Sequence, residues 1–220
     1  QAASIDKDYY RPFALWRRGQ TSGSWVNVNA EGIRRTPGAE CVPGAYRVIA
    51  LGGSTMWGVG SPDSATIPAR LQRALAARSA RPVCVTNLGE KGYTSIQELV
   101  LLITRLRSNE VPDLVLFYDG VNDVRTAADH GAAGLHFGVR SIADRLEGVP
   151  PRFDQRARAS RFLSLVLRST EPPPDSLAVS TYRQRGMSAD SLAEQVVARY
   201  LENQRMVRGL SREYGFDYAF

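Results

Sequence analysis

The first regular pattern along the chain is the apolar run Tyr46-Arg47-Val48-Ile49-Ala50-Leu51, closed by Gly52-Gly53. It predicts a buried strand that ends in a turn. Apolar residues then recur at helical spacing as Ile67, Leu71 and Leu75, with Pro68 suited to a first turn, so a helix is expected from Ile67 to about Ala80. Val83-Cys84-Val85-Thr86 predicts a second strand, and Ile96, Leu99, Val100, Ile103 and Leu106 give the next helix its face. Leu114-Val115-Leu116-Phe117-Tyr118 predicts a third strand. A last helix carries Leu192, Val196, Val197, Tyr200, Val207 and Leu210, and Phe216-Asp217-Tyr218-Ala219-Phe220 reads as the start of a fourth strand. Strands alternating with helices imply a parallel sheet with right-handed crossovers. The expected fold is a three-layer α/β/α sandwich with a flavodoxin-like strand order, incomplete at its C-terminal edge.

Two stretches break the pattern. Residues 1–44 hold the aromatic-basic patches Tyr9-Tyr10-Arg11-Pro12-Phe13 and Leu15-Trp16-Arg17-Arg18, then a polar run, and read as an irregular arm packed on a domain of residues 45–220. Between about Arg125 and Asp190 the periodicity weakens, with Pro150-Pro151 and Pro172-Pro173-Pro174 bracketing a short helix around Phe162-Leu163-Val166-Leu167. So long an irregular stretch in a compact domain reads as a lid, a binding loop or a mobile segment.

Composition changes this picture little. With 220 residues, 43% of them apolar, the chain can close one sizeable core. The excess of 28 basic over 22 acidic residues gives +6, but lysine occurs only at Lys7 and Lys91 and the arginines are scattered. Codon bias produces such a composition, and no nucleic-acid motif accompanies it. No apolar run approaches the ~20 residues that span a bilayer, so a membrane anchor would lie outside this sequence. Gln1 in place of methionine suggests a removed signal peptide, anchor or upstream segment, and an exported or membrane-tethered protein is expected. Cys41 and Cys84 have no zinc-site spacing. Two buried thiols are the favoured reading, and pairing in an oxidising compartment is the alternative.

In open parallel sheets ligands bind beyond the carboxyl ends of the strands, which directs attention to three junctions. They are Gly52-Gly53-Ser54-Thr55-Met56-Trp57-Gly58-Val59-Gly60, then Asn87-Leu88-Gly89-Glu90-Lys91-Gly92-Tyr93-Thr94-Ser95, then Asp119-Gly120-Val121-Asn122-Asp123. The first has P-loop glycine spacing, but Val59 stands where a lysine must reach phosphate. It starts a dinucleotide fingerprint, but Asp63 replaces the last glycine. It lacks the final glycine of a nucleophile elbow, where Met56 stands. What remains is a serine, a glycine and an asparagine at successive strand ends. Acyl transfer needs a hydroxyl that reaches a carbonyl and N–H donors aimed at the oxygen that becomes negative. Ser54 would attack, while its own N–H, that of Gly92 and the amide of Asn122 hold the oxyanion. Gly53, Gly120 and Asp123 would hold the supporting turns. Trp57 and Tyr93 either line an acyl or sugar pocket or pack in the core.

These blocks resemble those of the SGNH (GDSL-type) hydrolases. Gly52-Gly53-Ser54-Thr55 is similar to the family's first block, with Gly53 where many members carry Asp; Gly92 matches the second and Gly120-Val121-Asn122-Asp123 the third. The resemblance covers Val48 to Asp123 and, more loosely, the later helix and strand. It implies an SGNH-hydrolase fold and hydrolysis of a small-molecule or carbohydrate ester through an acyl-enzyme, with no metal and no organic cofactor. The family's Asp-x-x-His block, which supplies the base, has no counterpart here and is expected beyond Phe220. His130 follows Asp129 directly and His136 has Ala133 three residues before it, so both read as loop histidines. Acyl transfer to a sugar hydroxyl and a binding module without turnover are the rival readings; substrate identity and oligomeric state are not legible.

Overall fold

A computed structural model of the chain describes residues 8–39, 41–148, 181–184 and 186–220. The short helix expected around Phe162 to Leu167 lies outside them. Four parallel strands form the central sheet: β3 (Tyr46–Gly52), β4 (Val83–Asn87), β5 (Leu114–Tyr118) and β6 (Asp217–Ala219). Their spatial order is β4-β3-β5-β6, which is the flavodoxin-like 2-1-3-4 order expected from the sequence. The register sets Val48 beside Val85 and Ile49 beside Val115, so the apolar rows of neighbouring strands coincide.

Alternation within the strands sends side chains to both faces, and helices cover both, which is why β3 and β5 carry continuous apolar runs, Val48 to Leu51 and Leu114 to Phe117. Val48, Ala50, Val83 and Val85 pack with Met56 against Ile67, Leu71 and Leu75 of α2 (Ile67–Ala76). On the opposite face Ile49, Leu51, Val115 and Phe117 meet Leu99, Leu102 and Leu106 of α3 (Ser95–Arg107) and Val207 of a long helix, Ala189–Tyr214. The three-layer α/β/α architecture is therefore present. Thr66 starts α2 by accepting a hydrogen bond from the Ala69 N–H, with Pro68 in the first turn. That helix stops at Ala76, short of Ala80, because the chain turns there to enter β4.

The described parts of the regions read as irregular hold regular elements. In the arm, β1 (Asp8–Arg11) and β2 (Leu15–Arg18) pair as an antiparallel hairpin, and a bridge from Arg34 to Asn87 then lays the arm against the edge of β4. Cys41 and Cys84 form a disulfide with Cα atoms 4.8 Å apart, which corrects the favoured reading of two thiols. Cys84 lies on the edge strand that the arm passes, so the two meet. Within 125–190, α4 (Val121–His130), α5 (Val139–Leu146) and a turn of helix, α6 (Thr181–Gln184), replace irregular chain; the long helix is α7. Helix α4 buries Asp123, Thr126 and Ala127, small or polar positions that leave no apolar stripe to read. His130 ends that helix and is not in a loop, whereas His136 lies between α4 and α5. Among the described residues no helix is long and apolar enough to cross a membrane.

Candidate active site

Ser54 is the first residue of α1 (Ser54–Trp57), directly after the Gly52-Gly53 end of β3. A first-turn N–H has no partner within its own helix, and among the described residues the Ser54 N–H has no acceptor at all. Gly92 sits in a four-residue turn closed by a 3.2 Å bond from the Tyr93 N–H to the Glu90 carbonyl. Its φ of +77° favours glycine, and a Cβ there would stand 3.3 Å from the Phe137 ring. The requirement for glycine is therefore conformational. The Gly92 N–H also has no acceptor among the described residues.

Asn122 joins these two turns. It lies in the first turn of α4, after Gly120 at the N-cap, and its Nδ2 donates to the Tyr93 carbonyl at 2.7 Å. The same nitrogen is 2.6 Å from the point a Cβ on Gly53 would occupy. The amide is thus wedged between the serine turn and the glycine turn, with one of its two N–H bonds committed. Asp123 anchors the start of α4: its carboxylate accepts from the Ser95 N–H at 3.1 and 3.2 Å and from the Ser95 hydroxyl at 2.6 Å. Asn203 of α7 donates to that hydroxyl at 2.8 Å. Burial pushes the Asp123 carboxyl up, against the Ser95 bonds that lower it.

Behind this turn lies a buried acidic group. Glu98 of α3 is fully enclosed, and burial followed by the charge of Asp119 holds its carboxyl well above the ordinary 4.5. As an ionised group Glu98 has no donor among the described residues, and Asp119 can bond to it only across a shared proton. Tyr200 of α7 donates its hydroxyl to Asp119. Burial first, then that bond to Asp119, pushes the phenol up.

The arm supplies what the sequence reading missed. Arg34, 1% exposed, bonds Asp63 at 2.9 Å, the Trp57 and Gly58 carbonyls at 3.0 and 2.6 Å, and the Ser61 carbonyl, so it fixes the loop that follows Ser54. Its guanidinium lies 4.4 Å from the centre of the Trp57 ring. Arg17 donates to the Leu88 carbonyl at 2.8 Å, and both Arg17 and Arg18 flank the buried Glu90 at 3.7 and 3.6 Å. Burial raises the Glu90 carboxyl, opposed first by the Arg17 charge. Trp16 donates its indole N–H to the Lys91 carbonyl at 3.1 Å and accepts the Tyr93 hydroxyl on its own carbonyl. Every one of these contacts ends on the serine or glycine loop. Leu15-Trp16-Arg17-Arg18 shows no apolar-polar alternation, so no pattern in the sequence marked this role.

Ser54, Gly92 and Asn122 line one cleft of about 440 Å³, together with Asp8, Trp16, Val59, Lys91, Arg125 and Phe137. The three strand-end junctions singled out in the sequence therefore meet in one cleft. Trp57 and Tyr93 do not line it; both are buried, so core packing is their role. Neither His130 nor His136 lines it either. His136 accepts from the Gly138 N–H at 3.1 Å and lies edge-on to Trp16, and burial, then the His130 charge, lowers it. A second cavity of about 350 Å³, walled by Gly58, Val59, Ala65, Thr66 and Ile67, meets the first at Ser54.

No protein-family model matches the chain, and no curated protein does. Among solved structures the chain is similar to TesA, at 30% identity and a TM-score of 0.33, over 36% of this chain and 43% of that one. It is similar to AlinE4, an SGNH-hydrolase family esterase, at 18% identity and a TM-score of 0.36, over 81% and 77% of the two chains. A third similar structure is a single-substitution variant of Axe2, an acetyl xylan esterase from Geobacillus stearothermophilus, at 15% identity and a TM-score of 0.33, over 80% and 77%. At TM-scores this low the likeness does not transfer function.

Proposed function

We propose that the protein is a serine-dependent ester hydrolase working through an acyl-enzyme. The observation that carries this is the meeting of Ser54, Gly92 and Asn122 in one cleft, with two backbone N–H groups and one amide N–H left without acceptors among the described residues. Ser54 Oγ attacks the ester carbonyl and gives its proton to a base, a role that neither His130 nor His136 is placed to fill. The carbonyl oxygen takes the negative charge and accepts from the N–H groups of Ser54 and Gly92 and from Asn122 Nδ2. The C–O bond then breaks, the alcohol leaves with a proton, and water hydrolyses the acyl-Ser54. The Cys41–Cys84 disulfide supports an exported or membrane-tethered location, because thiols stay reduced in the cytosol of most cells.

A fluorophosphonate tests the reading directly. It should modify one serine, Ser54, located by peptide mass spectrometry, and Ser54→Ala should abolish the label. Labelling that persists in the variant sinks the assignment.

A further inference from the structure

The cleft around Ser54 carries charge as well as oxyanion donors. Lys91 stands beside Gly92, and Arg125 lies one helical turn after Asn122, on the same face of α4. Among the described residues the Lys91 ammonium has no carboxylate partner. The partner of Arg125 is Asp129 at 3.9 Å, with both side chains more than half exposed, so water weakens the pair. The acidic member of the lining, Asp8, is offset by Arg18 at 3.5 Å. Aromatic surfaces line the same cleft. The Trp16 ring is fixed by its bond to the Lys91 carbonyl, and Phe137 lies over Gly92 with the Arg125 guanidinium 5.8 Å from its ring centre.

An ester whose carbonyl oxygen sits on Gly92 and Asn122 extends between these groups. We propose that the substrate is an anionic ester whose alcohol part joins a flat apolar ring to a carboxylate or other negative group. The ring lies on Trp16 and Phe137, and the charge lies between Lys91 and Arg125. This rests on the ester-hydrolase reading of Ser54 and adds the class of alcohol. Exposed ion pairs are individually weak, so the two cations together are worth about tenfold in selectivity, and salt screens them.

The test compares 4-acetoxybenzoate with 4-acetoxybenzamide, esters of similar shape that differ in charge, each kcat/KM divided by the ester's spontaneous hydrolysis rate. The carboxylate ester should be preferred about tenfold at low ionic strength, with the preference collapsing near about 1 M salt and in the Lys91→Met/Arg125→Met double variant. Equal efficiency, or a preference that survives the double variant, overturns the proposal. Binding of the same two esters to Ser54→Ala by calorimetry decides the matter independently of turnover. Preferential binding of the carboxylate upholds the anion site even if no ester is hydrolysed and no phosphonate reacts, a result that sinks only the esterase reading. Equal binding, or none, overturns the anion site.

Discussion

Adding one methyl group at Gly53, which does not itself meet substrate, should disable the site by displacing a group that does. Gly53 has φ −79° and ψ −153°, an extended conformation and not the left-handed one that glycine alone favours, so the effect of Gly53→Ala is set by the space around its Cβ. The new Cβ would lie 2.6 Å from Asn122 Nδ2, about 0.8 Å short of the 3.4 Å at which ordinary contact begins. The neighbour is the end of a side chain, so the amide withdraws and its 2.7 Å bond to the Tyr93 carbonyl is lost or lengthened. One such bond is worth about 1 kcal/mol, which lowers Tm by ~2–4 °C in a chain of this size. A displacement of nearly an ångström in an oxyanion donor costs far more in rate, on the order of 10² in kcat with KM little changed. The assay is steady-state hydrolysis of 4-nitrophenyl acetate beside the rate of phosphonate labelling at Ser54. Asn122→Ala sets the ceiling at a loss of ~10²–10³ in kcat. If Gly53 acts only through Asn122, the double variant Gly53→Ala/Asn122→Ala is no slower than Asn122→Ala alone. Losses that multiply, or a Gly53→Ala enzyme as fast as wild type, refute the reasoning.

Arg34→Met removes a buried cation and strands Asp63, which is 6% exposed. Breaking such a pair costs about 3–5 kcal/mol, so thermal melting should show Tm lowered by ~10 °C; a fall of about 2 °C or less refutes the clamp. The raised Glu98 carboxyl means that the folded state keeps a proton the unfolded chain releases above the ordinary 4.5. That stabilisation is complete below the unfolded value and is lost as pH rises through the folded one. Glu98→Gln mimics the protonated form, so its Tm relative to wild type should climb as pH rises from the acidic side, and a difference that does not move with pH contradicts the buried proton.

The sheet was legible because its inner strands carry unbroken apolar runs: Val48 to Leu51 and Leu114 to Phe117 each need only a run of letters to be found. The three junctions were legible because a parallel sheet places all its strand ends at one edge, so Ser54, Gly92 and Asn122 had to be neighbours once the strands were read. The arm was not legible. Its hairpin is short, its turn carries Phe13 and Leu15 at positive φ, and its buried residues include arginines, which a sequence reader assigns to water. Helix α4 escaped because its buried positions are Asp123, Thr126 and Ala127, which satisfy bonds or fit small spaces without making an apolar stripe. The aromatics misled for a related reason: Trp57 adjoins Ser54 in sequence yet turns into the core, while Trp16 arrives at the cleft from 38 positions away.

The buried arginines answer a problem that the strand-end site itself creates. Loops at the end of a sheet leave carbonyl oxygens with no strand to pair them, and enclosing such oxygens without donors is costly. A guanidinium presents five N–H bonds in a fixed plane, so one Arg34 can serve the carbonyls of Trp57, Gly58 and Ser61 while its charge is met by Asp63. Arg17 does the same for Leu88 and Gly32 beside Glu90. A lysine in either place has three donors on a flexible stem and cannot hold these two or three backbone oxygens at set angles. Because both clamps come from the arm and both grip loops that the sheet presents, the arm and the sheet depend on each other. The spacing between Ser54 and Gly92 is fixed by residues 16–34 as much as by the strands that carry them.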